Sequence, residues 1–184
     1  MNYEVVEKQV VYAGKKVRLE LHHLETDDGT RHVREICVHP GAVVILPILP
    51  DGRVLLIRNL RYTVGQYLLE LPAGTLEPGE APMNCAGREL IEETGYLSKK
   101  LKPLAGFYAS PGILTEKMHT FVATDLVPQQ GEKDEGEEIE LAPMTWGEAI
   151  EAIRTGQIVD SKTIATLLLY DKFVRAEAKA GESK

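Results

Sequence analysis

GTLEPGEAPMNCAGRELIEETGY, residues Gly74–Tyr96, frames a helix between two good ends and then loads it with charge in an unfavourable place. Pro82 suits a first helical position and Gly95 a left-handed C-cap, so the helix lies between them. Glu89, Glu92 and Glu93 fall at i, i+3 and i+4. On a wheel with Glu89 at zero they span about −60° to +40°, whereas Met83, Ala86, Gly87, Leu90 and Ile91 occupy roughly +60° to +200°. The apolar arc is expected to meet a core and the acidic arc to point elsewhere. Each like-charge pair costs about 0.2–0.5 kcal/mol. The position near the helix C-terminus adds an unfavourable interaction with the macrodipole. Arg88 can offset part of this by pairing with Glu92 at i+4. A solvated acidic face is one reading of the trio. A site for a hard divalent cation, which takes carboxylate oxygens and is completed by substrate phosphates, is the other.

Outside this stretch the chain is ordinary for a globular protein. It has 184 residues, 43% hydrophobic and 27% charged, enough for one proper core with a small appendage. The net charge of −7 leaves no basic surface for nonspecific nucleic-acid binding, so an anionic ligand would need local arginines or a metal. Cys37 and Cys85 have no metal-type spacing and form no disulfide framework, which suits a reducing, cytoplasmic setting. The opening MNYEVVEKQV lacks the apolar run of a signal peptide. The longest apolar run, GAVVILPILP, is too short to span a bilayer and holds two prolines, so no membrane role is expected.

The organisation is strands, one helix, strands, then helices, an α+β pattern with a mixed sheet. VRLELHHLET and RHVREICVH flank Asp27-Asp28-Gly29 as a hairpin, and GAVVILPILP and RVLLIRNLRY flank Pro50-Asp51-Gly52 as a second. YLLELPAG is a short strand whose Pro72 marks an edge or an end. LKPLAGFYAS and EKMHTFVATDL are strand-like. Thr145 and Glu148 make a capping box, and Asp160 caps SKTIATLLLYDKFVRAEAK as a final helix. His22 and His23 are expected at the surface, and Trp146 in a structural role. The expected division is an N-terminal β-strand dimerisation domain (1–40), a main domain (41–178) and a frayed tail (179–184).

From Gly74 the spacing is G-x5-E-x7-R-E-U-x-E-E-x-G-U, with U a bulky apolar residue. Gly74, Glu80, Arg88, Glu89, Leu90, Glu92, Glu93, Gly95 and Tyr96 fill its nine positions. This resembles the Nudix box of the Nudix hydrolases. The resemblance implies an α/β/α sandwich with a mixed sheet, a loop–helix–loop that binds Mg²⁺ or Mn²⁺, and hydrolysis of a nucleoside diphosphate linked to another moiety. On that reading the carboxylates are tolerated because the metal neutralises them.

ELPAG directly before the box, SPG at Ser110–Gly112, TEK at Thr115–Lys117 and DEGEEIEL at Asp134–Leu141 resemble the ADP-ribose pyrophosphatase branch. Its marker proline, sixteen residues past Gly95, is here Pro111. The resemblance implies metal ligands at Glu89, Glu93, Glu137 and the Ala73 carbonyl, with Glu92 as an additional ligand, and it makes Glu93 part of the catalytic set. It implies Glu135 as general base, with adjacent acids of DEGEE able to exchange that role. Arg61 would bind the diphosphate, Glu116 the terminal ribose hydroxyls and Arg34 the adenine end. Arg58, neighbouring Arg61 on the same strand, is a further substrate-binding candidate. Branch members are homodimers through N-terminal strands, so a homodimer is expected. The rival readings are a Nudix diphosphatase for another nucleoside diphosphate sugar or a dinucleotide, and a sensor that binds ADP-ribose without cleaving it. Such sensors lose box glutamates, and this chain keeps them all.

Overall fold

The computed structural model describes residues 2–14, 17–131 and 138–176. The chain divides into two compact units, Met1–Gly41 with Tyr108–Lys117, and Ala42–Phe107 with Met118–Lys184.

The first unit is built on a three-stranded antiparallel sheet in the order β1 (Tyr3–Ala13), β2 (Arg18–Thr26), β3 (Arg31–Val38). The β2–β3 hairpin turns where its sequence says it should. Gly29 takes φ 81°, and the Asp28 carboxylate accepts from the Thr26 hydroxyl and the Thr30 N–H. Segment 109–116, distant in sequence, is stitched to the end of β3. Cys37 exchanges backbone hydrogen bonds with Ile113 and Thr115, and the His39 N–H donates to the Thr115 hydroxyl. Every residue of β1 is exposed, including Tyr3, Val6, Val10, Val11 and Tyr12. His22 departs from expectation. It is mostly buried, with Nε2 2.8 Å from Glu20 Oε2, because the Glu20 carboxylate is itself buried and pairs with both Arg18 and His22.

The second unit is a mixed α/β/α sandwich. One of its sheets runs β7 (Ala73–Thr75), β4 (Ala42–Pro47), β9 (Lys117–Pro128), β8 (Tyr96–Tyr108), and the other runs β10 (Ile139–Met144), β5 (Val54–Arg61), β6 (Gln66–Glu70). β4 pairs parallel with β9 and antiparallel with β7. It is buried along its whole length, as its unbroken run of β-branched and aliphatic residues requires. Its side chains alternate between two cores. Val43 and Ile45 join Cys85, Ala86, Leu90 and Phe121 under helix α1 (Pro82–Thr94). Val44 and Leu46 join Leu56, Ala149, Ala152 and Leu167 under α2 (Trp146–Arg154) and α3 (Ser161–Tyr170).

Three local expectations change. The strands around Pro50-Asp51-Gly52 reverse direction, with Leu49 N–H donating to Arg53 O, yet they meet at a single bridge, Ile48–Val54. β4 and β5 belong to different sheets, because both hydrogen-bonding edges of β4 are taken, one by β7 and the other by β9. The wheel also misjudged the rim of α1. Met83 is exposed and a side chain at Gly87 would meet open space, while Cys85 and Glu93 are buried. Finally, the last helix is not uniform. After Tyr170 it widens into a π-helical segment, Asp171–Arg175, where Asp171 Oδ1 accepts from both Trp146 Nε1 and Arg175 Nη1. Arg175 also lies 4.3 Å over the Trp146 ring, which fixes this tryptophan in the structural role expected of it. Among the described residues no helix is long and apolar enough to cross a membrane.

Candidate active site

α1 begins at Pro82 after an extended Ala81 and ends at Gly95, φ 72°, whose N–H returns to Ile91 O at 2.8 Å. These ends fix where its carboxylates emerge. Glu93, in the last turn, is 4% exposed and accepts the Ala73 N–H at 2.9 Å. One turn back, the Glu89 carboxyl lies against Gly74, where a Cβ would sit 1.8 Å from Glu89 Cδ. Glycine is required there for close approach and for no conformational reason. The strand preceding the helix and the acidic side of the helix are therefore in direct contact. The acidic arc is a partly buried seam, with Glu93 buried and Glu89 and Glu92 half-buried, rather than a fully solvated face.

Arg88 holds this seam together. Its Nε and Nη2 reach the two oxygens of Glu80 at 3.1 and 3.0 Å, and Nη1 reaches Glu89 at 2.7 Å and Glu92 at 2.9 Å. The sequence anticipated the Glu92 pair. It could not anticipate that Glu80, eight residues away, would supply the bidentate one. The Arg88 hydrogen bonds hold the Glu80 carboxyl down at about 2, and Glu80 in turn raises the Arg88 guanidinium. Burial, then the nearby Glu80 carboxylate, pushes the Cys85 thiol up to about 12, so this cysteine is an inert part of the core.

Glu135 and Glu137 lie outside the described residues. The chain entering their segment is anchored to α1, however. Gln129 N–H donates to Gly95 O, and a Cβ on Gly131 would be 2.8 Å from both Ile91 O and Ile91 Cγ2. On the far side of the segment, Glu138 accepts from the Tyr67 hydroxyl.

The expected substrate residues are distributed. Arg61 forks onto the buried Glu70, Nε to Oε1 at 2.7 Å and Nη2 to Oε2 at 2.6 Å. Arg58, three residues earlier on β5, projects from the opposite face of the strand, where it lies 4.8 Å over the Tyr67 ring and 3.7 Å from Glu140. Arg34 and Glu116 belong to the first unit. Arg34 is exposed on β3 and donates to its neighbour's carbonyl, Val33 O. Glu116 lies 3.5 Å from His39 Nδ1, a nitrogen that also accepts the Gly41 N–H. Glu70 and Lys162 are the polar residues that sequence reading missed. Glu70 was in view as the first letter of ELPAG, but burial of a carboxylate at a strand end has no local signature.

Among the described residues no three His, Cys, Asp or Glu side chains converge as a ready cation site. The donors that do gather near α1 are hard carboxylate oxygens. With the cradle at Gly74, where any side chain would displace Glu89, this set fits a hard divalent cation held partly by substrate phosphate.

Comparison with known proteins gives this geometry its family. Residues 38–167 match the model of the NUDIX domain, and the chain belongs to the Nudix family of hydrolases. It is 36% identical over 162 residues to an ADP-ribose pyrophosphatase of Bacillus subtilis (strain 168), covering 87% of this chain and 88% of that one. It is 39% identical over 153 residues to a GDP-mannose pyrophosphatase of Yersinia enterocolitica, covering 77% and 80%. A crystal structure of an ADP compounds hydrolase superposes with a TM-score of 0.85 at 26% identity, covering 96% of each chain. The α+β class, the sandwich and the small N-terminal sheet are thus those of a known fold. Divalent-metal-dependent hydrolysis is the chemistry that goes with it.

Proposed function

We propose that this protein hydrolyses the diphosphate of ADP-ribose to AMP and ribose 5-phosphate, with Mg²⁺ as the cation and Mn²⁺ as a substitute. The observation that carries the reading is the contact between the strand before α1 and the helix itself. Gly74 lies against Glu89, and Ala73 holds Glu93. Glu89, Glu93 and the Ala73 carbonyl would hold the cation together with Glu137, with Glu92 adding to the set. When bound, the cation supplies positive charge that polarises the phosphoryl oxygens and offsets the charge developing on the leaving oxygen.

The chain's own residues do the rest. Glu135 takes a proton from the attacking water as the water oxygen bonds to one phosphorus. The bond from that phosphorus to the bridging oxygen breaks, and the bridging oxygen leaves with the other phosphate. The products together contain substrate plus one water. Arg61 binds the diphosphate through N–H groups not taken by Glu70, Glu116 receives the terminal ribose and Arg34 the adenine end. The apolar, exposed β1 supports a homodimer through the N-terminal strands, since so small a sheet buries little apolar surface by itself.

Product analysis of ADP-ribose hydrolysis in ¹⁸O-water tests the activity and locates the attacked phosphorus at once. AMP and ribose 5-phosphate, one of them labelled, is the expected result; intact ADP-ribose after exhaustive incubation with Mg²⁺ refutes it. The Yersinia relative supports a second reading, hydrolysis of another nucleoside diphosphate sugar. A panel of ADP-ribose, GDP-mannose, ADP-glucose and NADH separates the two by kcat/KM.

A further inference from the structure

Arg61 is not held by a simple ion pair. Glu70, the last residue of β6, is 1% exposed, and its two oxygens grip the Nε and Nη2 side of the guanidinium. A second cation reaches the same carboxylate. Lys162, in the first turn of α3, donates from Nζ to Glu70 Oε2 at 2.5 Å and to Asp160 Oδ1 at 2.8 Å. Asp160 is at the same time the N-cap of α3, its Oδ2 accepting the Thr163 N–H at 2.9 Å. The Thr163 hydroxyl accepts the Leu71 N–H at 2.8 Å, so the first turn of α3 grasps Glu70 and the next residue together. Two residues further along, Ala73 holds Glu93.

The string Asp160–Lys162–Glu70–Arg61 has two carboxylates and two cations, and it is buried at one end only. Side-chain exposure is 1% at Glu70 and 12% at Lys162 but 36% at Arg61. A bidentate arginine alone would satisfy a buried carboxylate. The additional lysine shares Oε2 with Arg61 Nη2 and ties the carboxylate to the first turn of α3. The grip on Nε and Nη2 leaves the Nη1–Nη2 edge, a planar fork matched to phosphate oxygens, unused by Glu70 on a side chain that is itself half-buried.

We propose that Glu70 and Lys162 are positioning residues, which set Arg61 from the first turn of α3 so that its outer edge meets the substrate diphosphate. This rests on the reading of Arg61 as the diphosphate residue. A merely structural string, tying α3 to β6, would have the same hydrogen bonds but would affect stability without coupling to Arg61.

The test is a double-mutant cycle with the full chain and Mg²⁺, on whichever sugar of the panel it turns over best. Lys162→Gln, which keeps a donor but no charge, is made in the presence of Arg61 and in the Arg61→Ala background. Misplacing a binding group should lower kcat/KM by roughly 10-fold, mostly through KM, when Arg61 is present. In the Arg61→Ala background the same change should cost less than about twofold. Lys162→Arg should restore most of the loss. Thermal melts establish that each variant is folded, and if Lys162→Gln is not, Glu70→Gln takes its place in the same cycle. Equal losses in both backgrounds, or no loss with Arg61 present, overturn the proposal. An Arg61→Ala variant with unaltered KM instead overturns the assignment of Arg61 on which it rests, and that result stands apart from the others.

Discussion

Gly74→Ala separates catalysis from folding at one methyl group. The added Cβ would stand 1.8 Å from Glu89 Cδ and 1.9 Å from its Oε1, and restoring an ordinary 3.4 Å contact requires a shift of about 1.6 Å. The atoms that must move are the far end of a flexible side chain, so the backbone can remain where it is. Gly74 has no positive φ, and alanine there restricts the unfolded chain, which is worth about 0.4–1 kcal/mol in favour of folding. Against that stand the altered Glu89–Arg88 hydrogen bond and the local crowding, each on the order of 1 kcal/mol. Net stability should therefore fall by about 1–1.6 kcal/mol, a shift of only a few degrees in melting temperature for a chain of this size. Activity should respond very differently. Displacing a ligating carboxylate by more than 1 Å costs on the order of 100-fold in rate. The assay is a thermal melt by circular dichroism beside a Mg²⁺ titration of ADP-ribose hydrolysis. We expect a near-parental melting temperature, a kcat/KM about 100-fold lower and a higher Mg²⁺ demand. Gly87→Ala, on the same helix but facing open space, is the control. It should stabilise by about 0.5–1 kcal/mol with turnover unchanged. Parental kcat/KM and Mg²⁺ demand in Gly74→Ala would refute the role given to the Gly74–Glu89 contact.

Three further outcomes are expected. Glu93→Gln keeps an oxygen to accept the Ala73 N–H, so the fold should persist while turnover falls by at least about 100-fold; a fully active variant, or full activity in excess chelator, counts against the metal site. The Glu80 carboxyl should titrate near 2 by NMR, and Arg88→Met should return it towards the ordinary carboxylate range. Because its folded pKa is depressed, the stabilisation it contributes is complete above about 4.5 and is lost as pH falls towards 2. A Glu80 titration unmoved by Arg88→Met rules out the clamp. Val10→Lys on the exposed β1 should turn the proposed homodimer into a monomer in sedimentation with the second unit still folded; a parental protein that sediments as a monomer, or a dimer whose mass the substitution leaves unchanged at equal concentration, counts against a β1 interface.

The elements that could be read directly were those set by neighbours in sequence. Pro82 and Gly95 bracket α1 because a fixed φ and a left-handed residue are local requirements. The Thr145–Glu148 capping box and the Asp160 cap formed as expected, since both partners of each bond lie within three residues. Spacing alone also placed the box glutamates on one helix, and the class of chemistry followed from the resemblance of that spacing to the Nudix box. What lay beyond sequence was the choice of distant partners. Turn chemistry at Pro50-Asp51-Gly52 specified a reversal, but only the tertiary pairing of both β4 edges, with β7 and β9, put β4 in a different sheet from β5. No pattern in ELPAG disclosed that Glu70 would be buried with both Arg61 and Lys162 as partners, because one of them is on the neighbouring strand and the other is 92 positions away. The same holds for the acidic arc of α1. Periodicity set its composition, whereas its burial depends on how closely Gly74 approaches Glu89, a contact between separate elements that exists only once the sheet and helix have packed.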